Sequence, residues 1–232
     1  MKTLVITGAS KGIGLATARK FADADYRVLN ISRTPAPDRR IENRAVDLSL
    51  DSAEADLESL FDSELAPAEI CLVHNAGKLA NDTAIATDTE SFESVMRINV
   101  TAPHFINQLV LPKMQEGSSI IYLGSTLSEK AVPDTYSYVV SKHAVVGMMR
   151  ATCQDLAGRN IHTACICPGF TDTEMLRTHV GDNEEVLAQI AATSTFGRLV
   201  SPKEIADAIW FAANNAVING AVIHANLGQV EH

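Results

Sequence analysis

Short apolar runs, many of them rich in β-branched residues, recur along the chain with longer helical patterns between them: Thr3 to Thr7, Arg27 to Ile31, Ile70 to His74, Ser119 to Leu123, Ile161 to Cys167 and Ala221 to Ala225. Leu4-Val5-Ile6 and Ile120-Ile121-Tyr122-Leu123 are apolar at successive positions, as strands covered on both faces require. Strands that alternate with helices predict an α/β fold: a doubly wound parallel sheet between two helical layers. Thr34-Pro35-Ala36-Pro37 reads as a surface loop after the second strand. No repeat or low-complexity segment interrupts the pattern.

Composition narrows the picture. A chain of 232 residues that is 46% hydrophobic can bury a substantial core, and one domain over 1–232 is expected. With 28 acidic and 19 basic residues, the formal charge of −9 offers no attraction to nucleic acid or an anionic membrane surface. Met1 to Thr7 runs directly into the first strand, so no secretory leader is expected, and no apolar stretch approaches the ~20 residues of a membrane span. The cysteines Cys71, Cys153, Cys165 and Cys167 form no CxxC pair, and the histidines show no metal-ligand spacing. A cytoplasmic, metal-independent protein fits these features.

Chemistry first appears at Thr7-Gly8-Ala9-Ser10-Lys11-Gly12-Ile13-Gly14, between the first strand and the helical pattern Leu15 to Ala22. Glycines at 8, 12 and 14 permit a sharp turn, bring backbone amides against a pyrophosphate and let the helix pack close to the sheet. The helix N-terminus then presents free amides to the anion. This TGxxxGxG spacing resembles that of the short-chain dehydrogenases/reductases. The resemblance spans nearly the whole chain through Asp47-Leu48, Asn75-Ala76-Gly77, Asn99-Val100, Ser125, Tyr138-Val139-Val140-Ser141-Lys142 and Pro168-Gly169, in the family's order. It implies a Rossmann-type, three-layer αβα fold, a nicotinamide dinucleotide cofactor and a homo-oligomer, dimer or tetramer.

At the end of the second strand, a carboxylate would accept from a ribose 2′-hydroxyl and an arginine would pair with a 2′-phosphate. The junction reads Ile31-Ser32-Arg33. Ser32 stands where NAD-binding relatives usually carry Asp, and Arg33 with Lys11 supplies positive charge, which favours NADP(H) over NAD(H). By resemblance, Asp47 bonds the adenine amino group with Leu48 contributing backbone, while a lone Asp before Ser49 equally suits a helix cap. The backbone of Asn75, Ala76 and Gly77 passes beside the cofactor. Phe170 and Thr173, after Pro168-Gly169, contact its carboxamide and phosphates.

Tyr138 and Lys142 lie four positions apart on a helical pattern and share one face. A phenol is a poor base near neutrality, but a nearby ammonium favours phenolate and makes tyrosine a usable proton donor or acceptor. The family adds a second role for Lys142, a hydrogen bond to the nicotinamide ribose. Ser125, thirteen positions before Tyr138, matches the family serine that steadies the substrate oxygen. Asn99, within the helical region Phe92 to Val110, matches the fourth catalytic residue; on its own it would read as a local polar cap or a helix irregularity. These assignments imply hydride transfer between the cofactor and a ketone or secondary alcohol, with Tyr138 as general acid or base. A cofactor sensor or scaffold of the same fold is the alternative.

The stretch Thr171 to Gly197 corresponds to the family's variable substrate lid. There Met175, Leu176 and Phe196 suit either a pocket wall or the core, and Asp172, Glu174, Asp182, Glu184 and Glu185 make the segment acidic, which points to a neutral substrate. Enoyl reductases of the superfamily place their tyrosine seven positions before lysine, and here that position is Thr135. Ala225-Asn226-Leu227-Gly228 departs from the family's paired glycines.

Overall fold

The computed structural model describes residues 1–181 and 183–230. Its N-terminal half alternates as the apolar runs predict, with one exception. Strand β1 (Thr3–Thr7) leads to helix α1 (Gly12–Asp23), β2 (Arg27–Ser32), β3 (Ile41–Ala45), α2 (Ala53–Glu64) and β4 (Ile70–His74). The exception is β3, whose largely polar sequence IENRA is not among those runs and which follows β2 with no helix between. Helices α3 (Thr89–Met96) and α4 (Ala102–Val110) then precede β5 (Ser119–Leu123), α5 (Tyr136–Asp155) and β6 (His162–Pro168). The chain continues through α6 (Glu174–Val180), α7 (Glu184–Ala191), α8 (Pro202–Ala213) and β7 (Ala221–Ala225).

All seven strands pair in parallel in the order β3-β2-β1-β4-β5-β6-β7. The order reverses between β1 and β4, and in such sheets the crevice at the carboxyl ends of the strands is the place for a ligand. Alternate strand residues feed two separate cores. Val5, Leu29, Leu72, Ile120 and Tyr122 pack with Phe61, Phe105 and Met149 on one face; Leu4, Ile6, Val73, Ile121 and Ile166 pack with Phe21, Ile205 and Ile209 on the other.

The helical region Phe92 to Val110 is not one helix. A π-helical turn, Arg97–Thr101, separates α3 from α4. Pro103 has no N–H with which to bond the Asn99 carbonyl four residues earlier, so an α-helical ladder cannot run through this point. The interruption falls at Asn99, whose side chain is buried.

Among the described residues no helix is long and apolar enough to cross a membrane, and no group of three or more His, Cys, Asp or Glu side chains is arranged to hold a metal. Cys71, Cys165 and Cys167 are buried and Cys153 is half-buried, all four unpaired.

Candidate active site

The loop after β1 is built around two left-handed glycines, Gly8 at φ 71° and Gly12 at φ 56°. Lys11, the N-cap of α1, makes no side-chain cap bond, and no acidic residue lies in the first helical turn, so the terminal amides are left for an anion. Asn75 fastens the loop from the next strand: its Nδ2 donates to Thr7 O at 2.9 Å and to Gly8 O at 3.0 Å. The Thr7 hydroxyl in turn accepts from Asn75 N at 3.1 Å and Ala76 N at 3.0 Å. A Cβ on Gly14 would collide with the Gly8 carbonyl and Asn75 Nδ2, which accounts for glycine there. Ser10 is half-buried at the bend, as is Ile13 at the start of α1.

A further support was not read from the sequence. Asn30, fully buried in β2, accepts from Ala9 N at 2.8 Å and donates to Asn43 Oδ1 of β3 at 2.9 Å. An amide amid Val28, Leu29 and Ile31 is the available signal, because a polar side chain persists in a core strand only where it is hydrogen-bonded.

At the tip of β2 the Ser32 hydroxyl donates to Thr34 O at 2.6 Å. Arg33 is exposed and forms no ion pair with a described residue. Asp47 Oδ1 accepts from Ser49 N at 3.0 Å and Ser49 Oγ at 2.7 Å, which holds its carboxyl below the usual range with a smaller contribution from the Arg33 guanidinium. These bonds close a turn and do not cap a helix: the next helix, α2, begins at Ala53 with Ser52 as its N-cap, so the capping role expected for Asp47 is not found, and Leu48 beside it is buried. Lys11 does not face Arg33; its ammonium is paired with Glu174 at the start of α6.

The proton-handling residues gather at α5. Lys142 is buried, its Nζ donates to Leu123 O at 2.7 Å, and it stands 5.4 Å from the centre of the half-buried Tyr138 ring. Asn99 accepts from Lys78 N at 2.7 Å through Oδ1; its Nδ2 donates to Lys78 O and to Ser141 Oγ, both at 2.9 Å. Ser141 Oγ passes the link on by donating to Tyr138 O at 2.8 Å. A Cβ on Gly77 would lie 3.7 Å from Asn99 Oδ1 and 3.8 Å from Lys142 Nζ, so the three positions meet at one point. Lys78 and Ser141 were not singled out from the sequence, because their roles arise from the π-helical turn that turns Asn99 toward them.

Ser125 begins a short turn after β5. Its Oγ accepts from Leu127 N at 3.1 Å and its N–H donates to Ser128 Oγ at 3.1 Å, which fixes the rotamer while leaving the hydroxyl proton to be donated elsewhere. Thr135 has no such freedom: buried, it donates its hydroxyl to Val132 O at 2.8 Å.

Pro168 ends β6. Gly169 N donates to Ala225 O at 3.1 Å, and a Cβ on Gly169 would lie 2.9 Å from Asn226 Cα. Phe170 is exposed, while its carbonyl accepts from Val200 N at 2.9 Å. Thr173 caps α6 by accepting from Leu176 N at 3.3 Å, and its methyl lies 3.3 Å from where a Gly12 Cβ would be, so this segment closes against the phosphate loop. Met175 and Phe196 are exposed and Leu176 half-buried, which places none of them in the core. Of the acidic set in 171–197, Asp182 lies outside the described residues; Asp172 and Glu184 bracket Arg177, at 2.8 and 3.4 Å, which offsets part of the negative field. The C-terminal turn survives without paired glycines because Leu227 itself adopts the left-handed conformation, φ 54°, before Gly228 at φ 62°. Thr195 holds it, with Oγ1 donating to Leu227 O at 2.9 Å.

Behind the site, His74 Nε2 is 2.8 Å from Asn107 Oδ1, and Asn107 Nδ2 donates to Tyr122 OH at 2.7 Å. Burial pushes the imidazole down to about 4.

A parallel sheet with a glycine-bent loop at its switch point and a Tyr-Lys helix beside it defines a dinucleotide-fold oxidoreductase. Residues 8–229 match the family model adh_short_C2, described as Enoyl-(Acyl carrier protein) reductase, and the chain belongs to this family of short-chain dehydrogenases/reductases. It is 28% identical to the 3-oxoacyl-[acyl-carrier-protein] reductase FabG of Vibrio cholerae, over 98% of this chain and 97% of that protein. It is 29% identical to the 2-dehydro-3-deoxy-D-gluconate 5-dehydrogenase of Dickeya dadantii, over 98% and 94%. A short-chain dehydrogenase family protein from Francisella tularensis superposes with a TM-score of 0.89 at 25% identity, covering 98% of both chains.

Proposed function

We propose that the protein is an NADP(H)-dependent oxidoreductase of a ketone or secondary alcohol, a homo-oligomer of the cytoplasm. The observation that carries this reading is the meeting of Tyr138, Lys142, Asn99 and Gly77 beside the loop 8–14. When bound, the cofactor supplies or accepts the hydride at its nicotinamide. The residues present fit it: the bare N-terminus of α1 with Gly8, Ser10, Gly12, Ile13 and Gly14 suits a pyrophosphate, and Arg33, without an ion-pair partner among the described residues, suits a 2′-phosphate. Asp47, Leu48 and the backbone of Asn75 to Gly77 line the adenosine and ribose path, with Pro168, Gly169, Phe170 and Thr173 on the opposite side. Lys11 joins Arg33 once its pair with Glu174 opens.

During reduction, Ser125 donates a hydrogen bond to the substrate oxygen and stabilises the negative charge that develops there. Tyr138 delivers its proton to the same oxygen, and oxidation reverses both transfers. Lys142, anchored to the Leu123 carbonyl, holds a cationic charge one helical turn from the phenol, and Asn99 joins the route that restores its proton. Although the family model is described by an enoyl reduction, the hydroxyl of Thr135 is committed to Val132 O, and no tyrosine stands seven positions before Lys142. This supports carbonyl over carbon-carbon double-bond reduction. The relatives named above, a 3-oxoacyl reductase and a dehydrogenase, agree with it. Partial neutralisation of the 171–197 segment leaves a neutral substrate the best match.

The test is NADPH oxidation with ethyl acetoacetate, 2,3-butanedione and cyclohexanone, for the wild type and Tyr138→Phe. Turnover lost in the variant with NADPH binding retained supports the assignment. Equal activity of the two proteins overturns it, and binding without turnover of any ketone favours a sensor instead.

A further inference from the structure

The helix that carries Tyr138 and Lys142 lacks a cap of its own. Its N-cap Thr135 gives no side-chain bond to the first turn, because its hydroxyl is turned back to Val132 O. The cap comes from far upstream in sequence. Asp82 Oδ1 accepts from Ser137 N at 3.0 Å, Asp82 O accepts from Tyr136 N at 3.1 Å, and Asp82 N donates to Asp134 O at 3.1 Å. A carboxylate at this end of a 20-residue helix is also favoured by the helix dipole.

Asp82 ends a stretch already fastened at two other points. Asn75 and Ala76 are bonded to Thr7, and the backbone of Lys78 is bonded on both sides to Asn99. One short piece of chain thus ties the phosphate loop, the π-helical turn and the first turn of α5 together, and Tyr138 is the third residue of that helix. A second observation comes from the polar atoms there. Asp82 Oδ2 and Ser137 Oγ are buried without a hydrogen-bond partner among the described residues. Buried polar atoms left unsatisfied lower stability, so this turn is held by the Asp82 bonds to Tyr136, Ser137 and Asp134 at some local cost.

We propose that Asp82 is a positioning residue for hydride and proton transfer: it fixes the first turn of α5 so that the Tyr138 hydroxyl stays in register with Ser125 and the cofactor loop. The inference rests on the acid/base reading of Tyr138. Asp82 bonds neither the loop 8–14 nor Arg33, so the phosphate contacts, which carry most of the cofactor affinity, are expected to survive its replacement. Displacing a reacting group by about 1 Å costs up to roughly a hundredfold in rate.

Single-turnover NADPH oxidation with ethyl acetoacetate separates position from folding, since a misplaced phenol slows the rate constant whereas partial unfolding lowers only the amplitude. Asp82→Asn, which keeps an acceptor for Ser137 N, is expected within about threefold of wild type. Asp82→Ala is expected to be slower by roughly tenfold or more, with full amplitude and an unchanged NADPH Kd. Asp82→Ser, polar but shorter in reach, should fall with Ala, and decides the matter if the Ala variant does not fold. Wild-type rate constants in the Ala or Ser variant, or losses confined to amplitude and Tm, overturn the proposal. If Tyr138→Phe is inactive while Asp82→Ala and Asp82→Ser run at the wild-type rate, only the role of Asp82 falls; a fully active Tyr138→Phe removes the acid/base reading itself.

Discussion

The walls of the proposed site are made differently. On one side, the carboxyl ends of β1, β4 and β5 with α5 hold Asn75, Asn99, Ser141 and Lys142 through hydrogen bonds that are wholly or partly buried. On the other, the segment 171–197 has no buried residue in α6 and only Leu187 in α7 among the described residues, and its ion pairs, to Lys11 and from Arg177, are exposed. Buried, mutually satisfied networks fix atoms to fractions of an ångström, whereas exposed pairs contribute about 0–1 kcal/mol each and yield readily. On the proposed reading, reaction type belongs to the first wall and choice of substrate to the second.

The contrast can be broken most severely at Tyr138. Replacement by Phe should lower kcat by roughly a hundredfold to ten-thousandfold, the usual range for a lost general acid, while NADPH fluorescence titration shows unchanged binding. The next effect is on stability. Between the usual imidazole value of 6.5 and about 4, the unfolded chain binds a proton at His74 that the buried imidazole in the folded protein does not. Stability should therefore fall as pH drops through that window, by up to about 3 kcal/mol. Denaturation midpoints at pH 7 and pH 4.5 measure it, and His74→Gln should flatten that part of the slope. Arg33→Ala should weaken NADPH binding by roughly tenfold and leave NADH binding unaltered, as expected for a lost charge-assisted bond. The smallest effect belongs to the exposed wall: Arg177→Ala should shift Tm by no more than a surface pair allows, under about 1 kcal/mol, and change NADPH affinity less than twofold. A large loss there would show that the two walls are less distinct than their contacts indicate.

Apolar runs made six of the seven strands legible, because strands covered on both faces are mostly apolar, whereas the edge strand β3, IENRA, carries too little apolar sequence to be read that way. Spacing likewise placed Tyr138 beside Lys142, because four residues make about one helical turn. What was hidden depends on chain segments distant in sequence: Asn30 reaching Ala9, Lys78 meeting Asn99, and Asp82 capping α5. The helical region Phe92 to Val110 was legible and a helix irregularity at Asn99 was open, but its π-helical form was not, although the Asn99-to-Pro103 spacing contained its cause. Leu227 shows the opposite case, where a residue unsuited to a left-handed turn takes up that conformation because Thr195 bonds its carbonyl.

The amide bridge from Asn30 to Ala9 leaves β2 three residues before Arg33. The bend that cradles a pyrophosphate is thus anchored upstream of the tip that reads the ribose, and positions 32 to 34 can be exchanged without loosening it. If Arg33 reads the ribose as proposed, preference between the two nicotinamide coenzymes is a detachable trait, open to drift or redesign while the anchored bend stands still.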